Sequence, residues 1–253
     1  MINLKKNLIT KENKGLYCKP ANIWIDPYRP VEKAIITHAH SDHFTMGCGE
    51  YICSLETAIL LKKRFGNNIN LKVIDYDKKF FINGINFSLY PSGHILGSSQ
   101  IKIKAGSERW LITGDLKRQK DKTCQCYKRI ITDFLICEST FGLPIFNWVS
   151  TDKIIDDITK WVNESEDSTS ILFCYSLGKA QRLLSELNSQ KFRNIYVHKS
   201  INKMNLIYKS LGIELAEAKN YNIDLEINNL KNSLLLLPPS LNNKNFLRKF
   251  KNV

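Results

Sequence analysis

Three histidines and an aspartate fall within six residues, His38-x-His40-x-Asp42-His43, directly after an apolar run at 34–37 that reads as a strand. In an extended segment residues two apart face the same side. His38 and His40 are therefore expected to converge on one ion, with Asp42 and His43 facing a neighbouring position as the chain turns. Two later segments end alike: Pro91-Ser-Gly-His94, and Trp110-Leu-Ile-Thr-Gly-Asp115. The glycines before His94 and Asp115 permit tight turns that bring both side chains to one face. Any single histidine is more simply explained as a buried, hydrogen-bonded ring. Histidines and acids recurring at the ends of separate strands instead demand a fold that gathers those ends. Imidazole and carboxylate donors suit Zn²⁺, and catalytic zinc sites keep a position open for water.

The rest of the first part of the chain reads as strands separated by turns, at 22–25, 71–75, 80–82, 85–90, 100–104, 109–113 and 131–137. Residues 55–65 carry apolar side chains at helical spacing, and Gly66 stops them as a C-terminal cap does. Several strands following one helix argue against a simple βαβ repeat. After Gly142-Leu-Pro144 the rhythm changes. Helical patterns at 151–163, 178–188 and 201–211 alternate with strands at 171–175, 194–197 and 234–237, the pattern of a small parallel α/β unit. A domain boundary is expected near residue 145, giving domains at 1–145 and 146–253.

Composition excludes several classes. Apolar residues make up 43% of the 253 residues and charged ones 24%, the proportions of a soluble globule and not of a disordered or collagen-like chain. The longest apolar run, 234–239, is far short of the roughly 20 residues a membrane helix needs, so no membrane association is expected. The first fifteen residues have no apolar stretch of the secretory-signal kind. Seven cysteines without a C-x-x-C pair give no disulfide framework or four-thiolate zinc site, and the cytoplasm is the expected compartment. Those in the runs ICS, FLIC and ILFCY are expected to behave as small hydrophobes. The 37 Lys and Arg against 24 Asp and Glu leave +13, a charge that attracts polyanions such as nucleic acid. AT-rich coding, which favours Lys over Arg, would give the same excess without a nucleic-acid partner.

Longer motifs carry a resemblance. Ile36-Thr-His-Ala-His-Ser-Asp-His43, Pro91-Ser-Gly-His-Ile-Leu-Gly-Ser98, Leu111-Ile-Thr-Gly-Asp115, Glu138-Ser-Thr-Phe-Gly142 and Tyr175-Ser-Leu-Gly-Lys-Ala-Gln-Arg182 resemble the β-CASP nuclease branch of the metallo-β-lactamase superfamily. With Gly15-Leu-Tyr-Cys18, Trp24-Ile-Asp26-Pro27 and Leu237-Pro-Pro-Ser240, the chain is most similar to the bacterial ligase-associated DNA exonucleases, also described as mRNA 3′-end-processing-like. The resemblance implies an αββα metallo-β-lactamase sandwich followed by an incomplete β-CASP-type α/β insert. It implies two zinc ions, one held by His38, His40 and His94, the second by Asp42 and His43, with Asp115 bridging. Asp42 and Glu138 are the implied catalytic carboxylates, Glu138 orienting a catalytic histidine; the alternative for Glu138 is a strand-end carboxylate in a polar turn. The activity implied is exonucleolytic phosphodiester hydrolysis on DNA, in repair alongside a DNA ligase and a helicase. An RNA-processing nuclease of the same branch and a nucleic-acid-binding remnant without turnover are the alternatives. Thioester and β-lactam hydrolysis are disfavoured by the E-S-T-F-G and L-G-K-A-Q-R segments.

The family pattern continues with two further histidine segments that this sequence does not contain, so the chain is expected to be C-terminally truncated, with its second metal site incomplete. His198 is expected to be structural. Lys179 and Arg182, at a strand-to-helix turn, are candidate phosphate contacts through the helix start, or else a solvated basic face. Lys117 and Arg118 open a basic run, expected beside the metals, that could hold phosphates without reading sequence; a plain surface loop is the alternative.

Overall fold

The computed structural model describes residues 8–165, 167–187, 194–222 and 230–250. The chain divides into two compact units between Thr140 and Phe141.

In the first unit, strands β1 (Ile9–Glu12), β2 (Gly15–Cys18), β3 (Ile23–Ile25), β4 (Lys33–Ile35), β5 (Glu50–Cys53) and β6 (Leu71–Val73) form one sheet in that order. The first two pairings are antiparallel, the remaining three parallel. Helix α1 (Leu55–Phe65) joins β5 to β6. Its limits are set chemically: the Ser54 hydroxyl accepts the Thr57 N–H, Glu56 lies in the first turn, and Lys62, Lys63 and Arg64 in the last, each favourable to the helix dipole. The second sheet contains β7 (Lys79–Ile82), β8 (Ile85–Pro91), β9 (Ser99–Ala105), β10 (Glu108–Ile112) and β11 (Phe134–Ile136), in the order β11-β10-β9-β8-β7. Asn83 and Gly84 both have positive φ, as a two-residue hairpin turn requires.

The two sheets face each other across one core. Ile23, Ile25, Ile35 and Ile52 from the first meet Phe87, Leu89, Ile101 and Ile103 from the second. The buried α1 residues Ala58, Leu60 and Leu61 lie outside that cluster, so the helix covers the outer face of its sheet. This is an α/β metallo-β-lactamase-like arrangement in which the described residues supply two sheet layers and one helical layer. Strand β11 begins at Phe134, later than expected. The Asp133 carboxylate is bound to Arg109, and the Thr132 hydroxyl to the Arg109 carbonyl; such local bonds displace the regular ladder.

The second unit contains α2 (Thr151–Asn163), β12 (Thr169–Phe173), α3 (Lys179–Glu186), β13 (Asn194–Val197), α4 (Lys199–Ser210), β14 (Lys219–Asn220), β15 (Ser233–Leu237) and α5 (Lys244–Leu247). Its sheet is parallel throughout, in the order β12-β15-β13-β14. Strand β15 is buried along its length, as a central parallel strand must be. Helix α4 starts two residues before the expected 201 because His198 caps it: Nδ1 accepts the Ser200 N–H. The end of the expected helix 178–188 lies outside the described residues. No described helix is long and apolar enough to cross a membrane.

Candidate metal centre

Strand β4 ends at Ile35, so His38 and His40 stand in a loop and not on a pleated strand. Their convergence is imposed by tertiary bonds instead of strand alternation. Asp26, just past β3 with φ 43°, accepts the Thr37 N–H at 2.7 Å and the Thr37 hydroxyl on its two oxygens. From α1, the Arg64 guanidinium donates to the carbonyl of Ala39, between the two histidines. At the other end of α1 the Ser54 and Thr57 hydroxyls donate to the Gly97 carbonyl at 2.6 and 2.8 Å. That carbonyl belongs to the loop carrying His94, where Ser98 Oγ accepts the His94 and Ile95 N–H groups. One helix therefore braces both histidine loops. Gly114, before Asp115, has φ 55°, and a Cβ there would lie 2.7 Å from the Thr37 side chain; no other residue fits without displacement.

The ligand-type atoms meet. His38 Nε2 is 3.0 Å from His40 Nδ1, which is 3.3 Å from His94 Nε2. Asp115 Oδ2 lies 3.4 Å from His94 Nε2 and 3.8 Å from His38 Nε2. Two nitrogens at about 2.0–2.1 Å from a tetrahedral zinc stand roughly 3.3–3.4 Å apart, so this group fits such an ion. The other oxygen of Asp115 is 3.2 Å from His43 Nε2, and Asp42 Oδ2 is 3.8 Å from the same nitrogen. The single Asp115 carboxylate thus faces both groups. His43 Nδ1 is held by Asp26 Oδ2 at 2.7 Å, the kind of outer carboxylate that fixes the orientation of a metal-binding ring.

Burial, and then the neighbouring rings His43, His40 and His94, hold His38 well below the usual imidazole range. Burial also lowers His94, to about 4, against the opposing pull of Asp115. Both rings are consequently neutral and able to coordinate at pH 7. His43 behaves oppositely: burial opposes its charge, but hydrogen bonds to Asp115 and Asp26 outweigh burial and raise it to about 10. For Asp115, burial raises the pKa, but the His43 hydrogen bond and the surrounding imidazoles prevail and lower it. In the metal-free protein His43 and Asp115 form a charged pair.

A cleft of about 290 Å³ opens beside Asp42, His43 and Asp115, and Glu138 lines it too. Glu138 is half-buried, and its carboxylate accepts the Thr140 N–H at 2.8 Å. The basic run lies along the His94 loop: Lys117 N–H donates to Ser92 O and Lys128 N–H to Pro91 O. Its ammonium groups are partly committed, however, Lys117 to Asp121 and Lys128 to Asp77, whereas Arg118 is exposed. Lys179 and Arg182 belong to the second unit. There the Gly178 N–H donates to Gln181 Oε1, and Arg182 donates to Thr151 Oγ1, so two donors expected to face a phosphate have internal partners. His198 caps α4, a structural task. Cys53 and Cys174 are buried, but Cys137 of the FLIC run is exposed, because β11 is a sheet edge and its side chains are largely uncovered. Asp26 and Arg64 carry no role in the sequence reading. Asp26 did leave a signal, an acid before proline at the end of a predicted strand.

Two facing sheets with a His/Asp group gathered at their loops make a metallo-β-lactamase-like fold whose cluster could hold a metal ion. A crystal structure described as a protein of unknown function from Enterococcus faecalis V583 has this fold, with a TM-score of 0.53 and 13% identity over 81% of this chain and 58% of that one. The curated relatives fall in the β-CASP branch that the motifs resemble. A "Probable DNA ligase" of Opitutus terrae is 28% identical over 243 residues, 94% of this chain and 23% of that protein. An "RNase J-like protein" of Methanocaldococcus jannaschii is 26% identical over 67% of this chain and 47% of its own length. An "Endoribonuclease YSH1" of Yarrowia lipolytica is 36% identical over 45% of this chain and 14% of its own. The chain thus spans less than half the length of each of these relatives. No protein-family model matches it.

Proposed function

We propose that the chain carries the metal-binding part of a zinc-dependent phosphodiester hydrolase acting on nucleic acid. The first unit, read as 1–145, is the metallo-β-lactamase domain, and 146–253 is part of a β-CASP-type domain. The observation that carries the reading is Asp115, whose two oxygens face two separate groups of ligand-type atoms. His38, His40, His94 and Asp115 would hold one ion, and Asp42, His43 and Asp115 a second. Bound ions of this kind lower the pKa of a coordinated water and offset charge on phosphoryl oxygens. The chain's own part is to keep His38 and His94 neutral and to fix His43 through Asp26. It also presents Asp42 and Glu138 to the cleft where a scissile phosphate would lie. Arg118 and Lys117 are phosphate contacts beside that cleft, and Lys179 and Arg182 are contacts on the second unit.

DNA is the preferred substrate, with exonucleolytic action in repair beside a ligase and a helicase in the cytoplasm. Its support is the match over 94% of the chain to a protein named as a probable DNA ligase. The RNA reading draws support from the relatives named as endoribonucleases. Labelled single- and double-stranded DNA and RNA, incubated with purified protein after chelation and after zinc addition, test both. Zinc-restored binding of DNA in preference to RNA, with cleavage slow or absent, is expected. Absence of cleavage and binding on every substrate would overturn the proposal.

A further inference from the structure

Among the residues lining the cleft beside the metal centre, Lys11 and Tyr28 take no part in metal binding. Lys11, on β1, is the one lysine or arginine of the lining, and it has no ion-pair partner among the described residues. Tyr28 leaves 54% of its surface open to water, yet it is not loose. Its phenol donates to the Glu12 carbonyl at 3.0 Å, and its backbone N–H donates to Lys14 O at 3.1 Å. It follows by two residues the Asp26 that holds His43, so the ring is fixed to the same turn that builds the metal centre. A pinned aromatic face in water and an uncommitted ammonium, both in a cleft otherwise rich in carboxylates, match a base and a phosphate.

We propose that Lys11 and Tyr28 form a nucleotide subsite of this cleft. The Tyr28 ring stacks on one base, and the Lys11 ammonium takes a phosphate of the same strand. The cleft volume of about 290 Å³, near the lower limit of ligand pockets, suits a single nucleotide and not a duplex. A base stacked on tyrosine has to be free of its own helix, so the substrate class is a single-stranded end. The inference rests on the nucleic-acid reading above and adds to it which strand form is held and by what.

The test is fluorescence anisotropy of the full chain, chelated and zinc-loaded, with short labelled single strands whose terminal nucleotide is intact or abasic. Tyr28→Ala should weaken binding of the intact end roughly fivefold or more and leave the abasic end unchanged. Tyr28→Phe, which keeps the ring and loses only the bond to Glu12, should bind as the parent does. Lys11→Met should lower the slope of log affinity against log salt by about 0.7, the value of one single-strand phosphate contact. Melting temperatures separate these effects from misfolding. Parent protein that binds or cleaves nucleic acid while Tyr28→Ala discriminates intact from abasic ends as the parent does would overturn the subsite alone. Parent protein that neither binds nor cleaves any strand would overturn the nucleic-acid reading and the subsite with it.

Discussion

The two units solve different problems with similar materials. In the second, helices α2, α3 and α4 have side-chain or backbone caps, and a parallel sheet buries its central strand. Its longer helices and strands follow from local sequence, whereas β14 and α5 left no such signal. In the first, the residues of chemical interest sit where regular structure stops, and their placement depends on bonds between segments far apart in the chain: Asp26 to Thr37 and His43, Arg64 to Ala39, Ser54 to Gly97. Regularity builds the scaffold, whereas the site is built from interruptions to it.

The largest effect should come from removing ligands. His38→Ala together with His40→Ala should abolish tight zinc binding, measured by elemental analysis after dialysis, and leave the helical signal of the second unit intact. Zinc retained at parental stoichiometry would break the assignment. Asp26→Asn should lower affinity at the His43 side by about 10–100-fold, a loss that isothermal titration resolves from the first site.

Protonation gives the next effect, on the order of a few kcal/mol in the chelated protein. The pKa of His43 is raised to about 10, so its contribution is fully present below the unfolded value near 6.5 and is lost as pH rises through 10. His38 and His94 are lowered. They refuse protons that the unfolded chain accepts, and stability should fall as pH drops below about 6.5. Thermal melting across pH should give a maximum between these limits, and His43→Gln should flatten the alkaline limb only.

Glycine substitutions sharpen the contrast between the units. Gly114 and Gly212 both have positive φ, but a Cβ at Gly114 meets Thr37 whereas one at Gly212 meets nothing within 4 Å. Gly114→Ala should cost about 1–3 kcal/mol or more and reduce zinc content. Gly212→Ala should cost about 1 kcal/mol and leave zinc content unchanged. The smallest effect is expected for His198→Ala, about 1 kcal/mol from the lost α4 cap; any accompanying change in zinc stoichiometry would give His198 a role beyond capping.

Much of this was legible in the residues. Helices α1 and α2 match the expected limits because Ser54 and Ser150 cap their starts and apolar spacing fills their interiors. The hairpin of β1 and β2 was not legible, since its two four-residue strands carry Thr10, Lys11 and Glu12 in place of a clear alternation. The density of His38, His40, Asp42 and His43 announced a cluster. The means of convergence was hidden, because strand periodicity predicts a pleat where the chain forms a loop. Asp26 was hidden for the same reason: its value lies in a positive φ and a contact with a ring seventeen positions later, neither of which a local pattern encodes.

The brace formed by α1 has a kinetic consequence. It ties together loops drawn from both sheets, so the His38, His94 and Asp115 segments can meet only after most of the first unit has assembled. Contacts this distant in sequence form late on the folding path, and interactions absent from the transition state act on unfolding alone. A metal captured there should leave the refolding rate nearly unchanged and slow the opening of the sandwich. The centre would then serve as a latch, fastened last and released first, and the lifetime of the folded first unit would be set by the metal supply around it.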